Sequence, residues 1–133
     1  MNKKQIPWID EVRFDDKGLI PVIAQDYKSK RILMLAWMNK RALLQTVETG
    51  LATYWSRSKG RLWRKGESSG HLQYIKSVQL DCDGDTIIIL VEQKGEIACH
   101  TGTNSCFFRV LIDKDWEVSE PVVKDPKDIY SHG

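Results

Sequence analysis

Asp81-Cys82-Asp83-Gly84-Asp85-Thr86-Ile87-Ile88-Ile89-Leu90-Val91-Glu92 is the stretch that decides the fold. Ile87 to Val91 is apolar throughout and rich in β-branched residues, the pattern of a strand covered on both faces. Tyr74 to Cys82 reads as a second strand, and Asp83-Gly84 between the two is a hairpin signal.

Working outward, Leu19 to Gln25 and Arg31 to Trp37 form another strand pair, joined by Asp26-Tyr27-Lys28-Ser29-Lys30. Pro21 there marks an edge or a strand start, because proline has no N–H for a ladder. Asn39 suits a helix N-cap, Leu43, Leu44 and Val47 share one helical face, and Gly50 is a fitting stop, so a helix is expected over 40–49. Ala52 to Ser56 and Arg61 to Arg64 are short strands around Ser58-Lys59-Gly60, and Glu67-Ser68-Ser69-Gly70 is a loop. Cys106 to Ile112 is expected to be the last strand. The fold class is α+β, mainly β: a small single domain of antiparallel strands with one or two helices over 1–112. A charged C-terminal tail, 113–133, follows and wraps the surface or frays.

The chain of 133 residues carries 41% hydrophobic and 29% charged residues, an ordinary balance for a folded domain. A net charge of +2, from 20 basic and 18 acidic residues, argues against nucleic acid or a membrane surface as partner. No apolar run approaches the ~18 residues of a membrane span. The start, Met1 to Trp8, lacks the apolar region of a secretory signal. A cytoplasmic setting with reduced thiols is the expectation, and it favours metal binding or catalysis over disulfides for the three cysteines.

All three cysteines, Cys82, Cys99 and Cys106, fall within residues 82–106, Cys82 inside the aspartate triplet and Cys99 beside His100. Thiolates suit zinc, and carboxylates suit magnesium. In an extended segment Asp81 and Asp83 would share one face with Cys82 on the other, and Gly84 would let the chain turn so that Asp85 rejoins them. Three such carboxylates repel one another unless a cation offsets the charge; the plainer alternative is an acidic, solvated hairpin tip. An EF-hand is excluded, because Thr86 stands where its loop needs glycine and a strand follows where it needs a helix. Three thiolates would leave zinc one open position for water, whereas three buried apolar cysteines are the plainer alternative. A strand over 86–92 carries the chain roughly 23 Å from Cys82, and 93–98 is barely enough to return. Cys99 is therefore expected to meet Cys82 of a second copy. His100 suits a general base or a proton shuttle, or is itself a ligand.

Arg57, Lys59, Arg61, Arg64 and Lys65 are interleaved with Trp55 and Trp63 and followed by Gly66-Glu67-Ser68-Ser69-Gly70-His71. Cations bind phosphate, indoles stack on bases, and glycine-serine loops offer N–H groups to anions. A phosphorylated nucleotide fits this segment; a single-stranded nucleic acid, or a solvated hairpin with its tryptophans inward, fits it too.

These motifs resemble the phosphoribosyl-AMP cyclohydrolases of histidine biosynthesis. The matching residues are Met34 to Asn39, Ala52 to Ser58, Leu62 to His71, Asp81 to Thr86, Ala98 to Gly102 and Ser105 to Phe107. The resemblance implies hydrolytic opening of the adenine ring of phosphoribosyl-AMP at N1–C6, in an intertwined homodimer. It implies one zinc per subunit on Cys82 of one subunit with Cys99 and Cys106 of the other, and magnesium on Asp81, Asp83 and Asp85. Hydroxide would attack C6 with His100 managing the proton. Trp55, Arg57, Trp63, Lys65, Glu67, Ser69 and His71 would bind the substrate, with Arg57 and Lys65 on phosphate. Thr103 and Asn104 are neutral where many relatives carry a basic residue. The chain past Phe108 is too short for the pyrophosphohydrolase fused to some relatives.

Other readings remain open on the residues alone. A zinc-dependent nucleobase deaminase attacks a similar carbon, but its His-x-Glu and Pro-Cys-x-x-Cys segments are missing. A non-enzymatic module binding RNA or nucleotides through the tryptophan segment would want a stronger positive charge. A structural zinc protein would need His100 to close the metal's shell.

Overall fold

The computed structural model describes residues 7–94 and 105–119. Among these, a one-turn 3-10 helix, Trp8–Glu11, is followed by β1 (Leu19–Asp26), β2 (Ile32–Asn39), α1 (Lys40–Thr49), β3 (Thr53–Ser56), β4 (Arg61–Arg64), β5 (Gln73–Leu80), β6 (Ile87–Gln93), β7 (Arg109–Ile112) and β8 (Asp115–Val118). A four-stranded sheet runs in the order β2-β1-β6-β5, and β3-β4 and β7-β8 are separate two-stranded ribbons. The architecture is α+β and mainly β, with antiparallel pairs predominating.

The hairpin over β5 and β6 forms, with Leu80 opposite Ile87 and Gln73 opposite Gln93. The pairing of β6 with β1 is parallel, Val22 to Asp26 beside Ile87 to Val91, which an all-antiparallel reading does not anticipate. It makes β1 an interior strand from Val22 onward, while Pro21 lies near the strand's start, just before that pairing begins, where the edge is locally open. Proline is accommodated because β6 joins β1 only from Val22 onward, and at Pro21 the strand has a single partner, Trp37 on β2.

One face of this sheet carries the core. Ile20, Val22 and Ala24 of β1 meet Met34 and Met38 of β2 and Ile87, Ile89 and Val91 of β6, covered by Ala42 and Leu43 of α1 and by Tyr54 of β3. The far face, with Ile23, Leu35, Ile88 and Leu90, is half-buried or exposed, so β6 is fully covered on one side only.

Helix α1 spans 40–49 as expected. Asn39 Oδ1 accepts from the Ala42 N–H at 2.8 Å, and Gly50 ends the helix with φ +77°. Its buried face differs from the expected one: Ala42, Leu43 and Thr46 point inward, while Leu44 and Val47 are 38% and 46% exposed. Thr46 belongs inside because its hydroxyl is fully used. It donates toward the Ala42 and Thr53 carbonyls and accepts from the Thr53 N–H, at 2.8 to 3.0 Å. That bonding ties α1 to β3.

The final strand also differs. Cys106 is not in a strand; its N–H donates to the Leu33 carbonyl at 2.6 Å, and Ser105 Oγ donates to Ile32 O at 2.7 Å. The strand begins at Arg109 and turns at Asp113-Lys114, both with positive φ, into β8. No helix among the described residues is long and apolar enough to cross a membrane.

Candidate functional site

Two clusters stand out, one acidic and one basic. The acidic one is the turn after β5. Its residues do not alternate as an extended segment would. The Asp81 N–H donates to the Thr86 carbonyl at 3.0 Å, the Gly84 N–H to the Asp81 carbonyl at 3.1 Å, and the Asp85 N–H to Asp81 Oδ1 at 3.0 Å. This winding, with Gly84 at φ +76°, brings one carboxylate oxygen each from Asp81, Asp83 and Asp85 within 4.8 Å of one another, all three residues exposed. The N-terminal segment holds the turn from outside: the Arg13 N–H donates to the Gly84 carbonyl at 2.7 Å, and a Cβ on Gly84 would lie 2.9 Å from Glu11 O.

The crowding shows in the protonation of the turn. Asp85 is raised above its ordinary value by side-chain hydrogen bonding with Asp81, by slight desolvation, and by the charges of Asp81 and Asp83. For Asp81, desolvation pushes upward, but hydrogen bonds from Asp85, Gly84 and Thr86 outweigh it and hold its carboxyl low. Opposed ligand oxygens sit about 4.2 Å apart around magnesium and about 5 Å apart around calcium, so oxygens within 4.8 Å of one another match the span of calcium and would have to draw closer to hold magnesium.

The basic cluster is the β3-β4 ribbon and the loop that follows it. Tyr54 pairs with Trp63 and Trp55 with Leu62, so the two tryptophans expected to act together lie on opposite faces of the ribbon. Trp63 packs on Tyr54, ring centroids 5.2 Å apart, and lines a cavity of about 230 Å³. Ser56, Lys59, Arg61 and Arg64 contribute further wall from the ribbon, and Lys65, Glu67, Ser68 and Ser69 from the loop. Lys65 Nζ lies 5.9 Å from the centre of the Trp63 ring. Gly66, at φ +86°, lets the loop close against the chain. A Cβ there would stand 2.5 Å from the His71 carbonyl carbon and 2.6 Å from the Leu72 nitrogen.

Of the expected substrate contacts, Trp63, Lys65, Glu67 and Ser69 meet at this cavity. Arg57 does not join them; its guanidinium stacks on Trp37 at 4.7 Å. Trp55 is half-buried on the other face, and His71 is half-buried behind the loop. Lys59, Arg61 and Arg64 hold places in the wall that a choice of Arg57 and Lys65 overlooks. The alternation Arg61-Trp63-Lys65 was the signal that puts those three on one face.

Of the cysteines, Cys82 is exposed in the acidic turn and Cys106 is half-buried against the core, and neither is in a disulfide among the described residues. Complete burial, and after it the nearby Cys106, push the Tyr54 hydroxyl above its ordinary value. Cys99 and His100 lie outside the described residues.

A family model described as phosphoribosyl-AMP cyclohydrolase matches residues 34–108. The chain is similar to a protein named phosphoribosyl-AMP cyclohydrolase 1 from Pseudomonas fluorescens, with 57% identity over 126 residues, 95% of this chain and 97% of that one. It is 59% identical over 126 residues to the phosphoribosyl-AMP cyclohydrolase of Aromatoleum aromaticum, covering 94% and 95%. The protein of that name from Marinobacter nauticus is 55% identical over 129 residues, covering 97% and 94%.

Proposed function

The chain belongs to the phosphoribosyl-AMP cyclohydrolase family, and from that premise we propose that it catalyses the reaction its relatives are named for, the third step of histidine biosynthesis. Water adds to C6 of the adenine ring of phosphoribosyl-AMP, and the carbon becomes tetrahedral. The C6–N1 bond then breaks. C6 with its exocyclic nitrogen becomes a carboxamide, and N1 leaves on the formimino arm with its phosphoribosyl group.

Metal dependence rests on one observation, the convergence of Asp81, Asp83 and Asp85 within 4.8 Å. These carboxylates would hold magnesium, which neutralises their repulsion and screens a phosphorylated substrate. Cys82, Cys99 and Cys106 would hold zinc, which supplies Lewis acidity that makes water nucleophilic near neutral pH. His100 would take the proton from the attacking water and return it to N1. The basic loop would bind phosphate, and the Trp63 ring, backed by the buried Tyr54, would wall the site.

An intertwined homodimer accounts for the placement of the two described cysteines. Cys82 follows β5 and Cys106 is tied to β2, and these are the outer strands of the sheet, separated by three strand spacings, roughly 14 Å. Sulfurs on one zinc lie within about 4.6 Å of each other, twice the Zn–S distance. A shared ion would therefore join Cys106 of one subunit to Cys82 of the partner subunit. The uncovered side chains of Leu35 on β2 and of Val110, Leu111, Trp116 and Val118 on the β7-β8 ribbon give such a dimer its apolar surface. The cytoplasm, where thiols stay reduced, is the proposed setting.

Turnover of phosphoribosyl-AMP, followed by ultraviolet absorbance before and after chelation, tests this reading. Activity lost on stripping and regained with zinc and magnesium is the expected result. Absence of turnover by the fully metal-loaded protein would overturn it. His100→Ala should retain zinc and lose turnover; undiminished turnover with zinc bound would remove His100 as proton carrier.

A further inference from the structure

Gly84 and Asp85 share a peptide group that is held at both ends. Its carbonyl accepts from the Arg13 N–H at 2.7 Å, and its N–H donates to Asp81 Oδ1 at 3.0 Å. The carbonyl and N–H of a trans peptide point in opposite directions, so a partner on one side fixes where the other aims. The Arg13 bond is thereby passed on to the Asp81 carboxylate, one of the three that converge. Arg13 belongs to a segment that is itself anchored. Ile9, Val12 and Phe14 pack half-buried against the core. The Val12 N–H donates to Ile9 O at 3.2 Å, and the Asp15 N–H donates to Leu19 O at 2.8 Å. Arg13 sits exposed between the Val12 and Phe14 anchors and meets the acidic turn with its backbone. The approach is close, since a Cβ on Gly84 would lie 2.9 Å from Glu11 O and 3.8 Å from Arg13 Cγ. Glycine at 84 therefore serves both the left-handed φ of +76° and the admission of this segment.

We propose that residues 9–14 form a strap that positions the acidic turn for a divalent cation, acting through the Arg13 N–H on the Gly84–Asp85 peptide and through that peptide on the Asp81 carboxylate. The proposal rests on the reading that Asp81, Asp83 and Asp85 hold such a cation; the strap is what keeps them ready for it. The three carboxylates are exposed, and their mutual repulsion favours a turn that opens. Magnesium needs their oxygens drawn closer, whereas a turn free to rotate about Gly84 would spread them. The strap opposes that rotation, because a flip of the Gly84–Asp85 peptide would break two hydrogen bonds at once. Arg13 offers the ion no ligand; it is a positioning residue.

Two measurements on the zinc-loaded protein test the strap. In the first, manganese stands in for magnesium, since both take oxygen ligands octahedrally and the free manganese ion loses its EPR signal on binding. Arg13→Pro removes the N–H and should weaken manganese roughly tenfold or more, the usual effect of losing a group that orients a metal ligand. Arg13→Ala keeps the N–H and should restore most of that loss. Turnover of phosphoribosyl-AMP by Arg13→Pro should recover as magnesium is raised, which a general folding defect would not do. Gly18→Ala, at a left-handed turn of the same N-terminal region with nothing within 4 Å, controls for backbone strain and should bind manganese as wild type does. The second measurement needs no substitution. Coupling is reciprocal, so magnesium should slow hydrogen exchange of the Arg13 amide several-fold. The Lys30 amide, bonded to Asp26 O on the β1-β2 turn, should exchange unchanged. Equal manganese affinity in wild type and Arg13→Pro, or an Arg13 amide indifferent to magnesium that does bind, would overturn the strap and leave the cation site standing. A wild type that binds neither ion would overturn both. Loss of manganese affinity in Arg13→Pro, from a wild type that does not turn over phosphoribosyl-AMP, would sustain the strap and overturn the cyclohydrolase reading.

Discussion

The Tyr54 hydroxyl donates to Gln73 Oε1 at 2.6 Å, and both side chains are wholly buried. Gln73 passes the link on, donating through Nε2 to Gln93 Oε1 at 3.1 Å. The chain of polar groups joins β3 to β5 and β6 beneath Trp63. Tyr54→Phe leaves a buried acceptor unsatisfied and should cost about 1–3 kcal/mol. Adding Gln73→Leu should cost less than the two single changes summed, because the orphaned acceptor goes with it. Urea unfolding at a fixed protein concentration measures both; strict additivity would mean that the pair does not act as one unit.

Gly66 and Gly70 bracket the same loop at positive φ, but only Gly66 is pressed against backbone. Gly70→Ala meets nothing within 4 Å and should cost only the left-handed penalty, about 1–2 kcal/mol. Gly66→Ala adds a collision with the His71–Leu72 peptide, so it should destabilise by more and raise KM by deforming the cavity. Equal midpoints for the two variants in thermal denaturation would contradict the packing described.

The acidic turn predicts a crossover. Without a divalent cation, Asp83→Asn removes a charge that crowds Asp85, and the variant should melt at or above the wild-type temperature. With magnesium the order should invert, since the wild type keeps three carboxylates for the ion. Melting curves in chelator and in magnesium report both arms, and parallel shifts would argue for a solvated tip without a bound ion.

Asp26 gives a pH dependence. Desolvation raises its carboxyl, but N–H donation from Ser29 and Lys28, at 2.8 and 3.1 Å, together with the Ser29 side chain and the Lys28 charge, outweighs it and leaves the group below its ordinary value. A carboxylate depressed by folding stabilises the protein above its unfolded pKa, about 3.9. That contribution fades as pH falls through the folded value. Asp26→Asn should therefore lose stability at neutral pH and differ progressively less from wild type as pH falls below the unfolded value.

Local signals carried most of the fold. Asn39 and Gly50 bounded α1 because caps are set by their own side chains and φ. Ala52 to Ser56 and Arg61 to Arg64 stood out around Ser58-Lys59-Gly60, and the first strand forms one residue shorter, from Thr53. The parallel pairing of Val22 with Ile87 left no trace in either strand, since a non-local partner changes neither composition nor period. The helix face was misread because Thr46 looks polar in sequence and is buried by bonds to Thr53, a contact made only in the tertiary fold. In the acidic turn the residue types were enough to suggest a cation, while the hold of Arg13 on Gly84 needed the folded chain. The basic segment showed its chemistry but not its geometry: alternation sends Trp55 away from Trp63, and only the folded loop brings Glu67 to Arg61.

The position of β1 between β2 and β6 also sets an order of events during synthesis. As the chain leaves the ribosome, β1 can zip to β2, α1 can close over them, and the β3-β4 ribbon can form, all from neighbours in sequence. The second edge of β1 nevertheless stays open until Ile87 to Val91 has emerged, long after Val22 to Asp26. Through that interval the nascent protein carries a bare β1 edge at Val22 to Asp26, a template for misassembly with other chains. Delivery of β6 is then the step that commits the polypeptide to its native form, and the acidic turn, made just before it, is completed in the same moment.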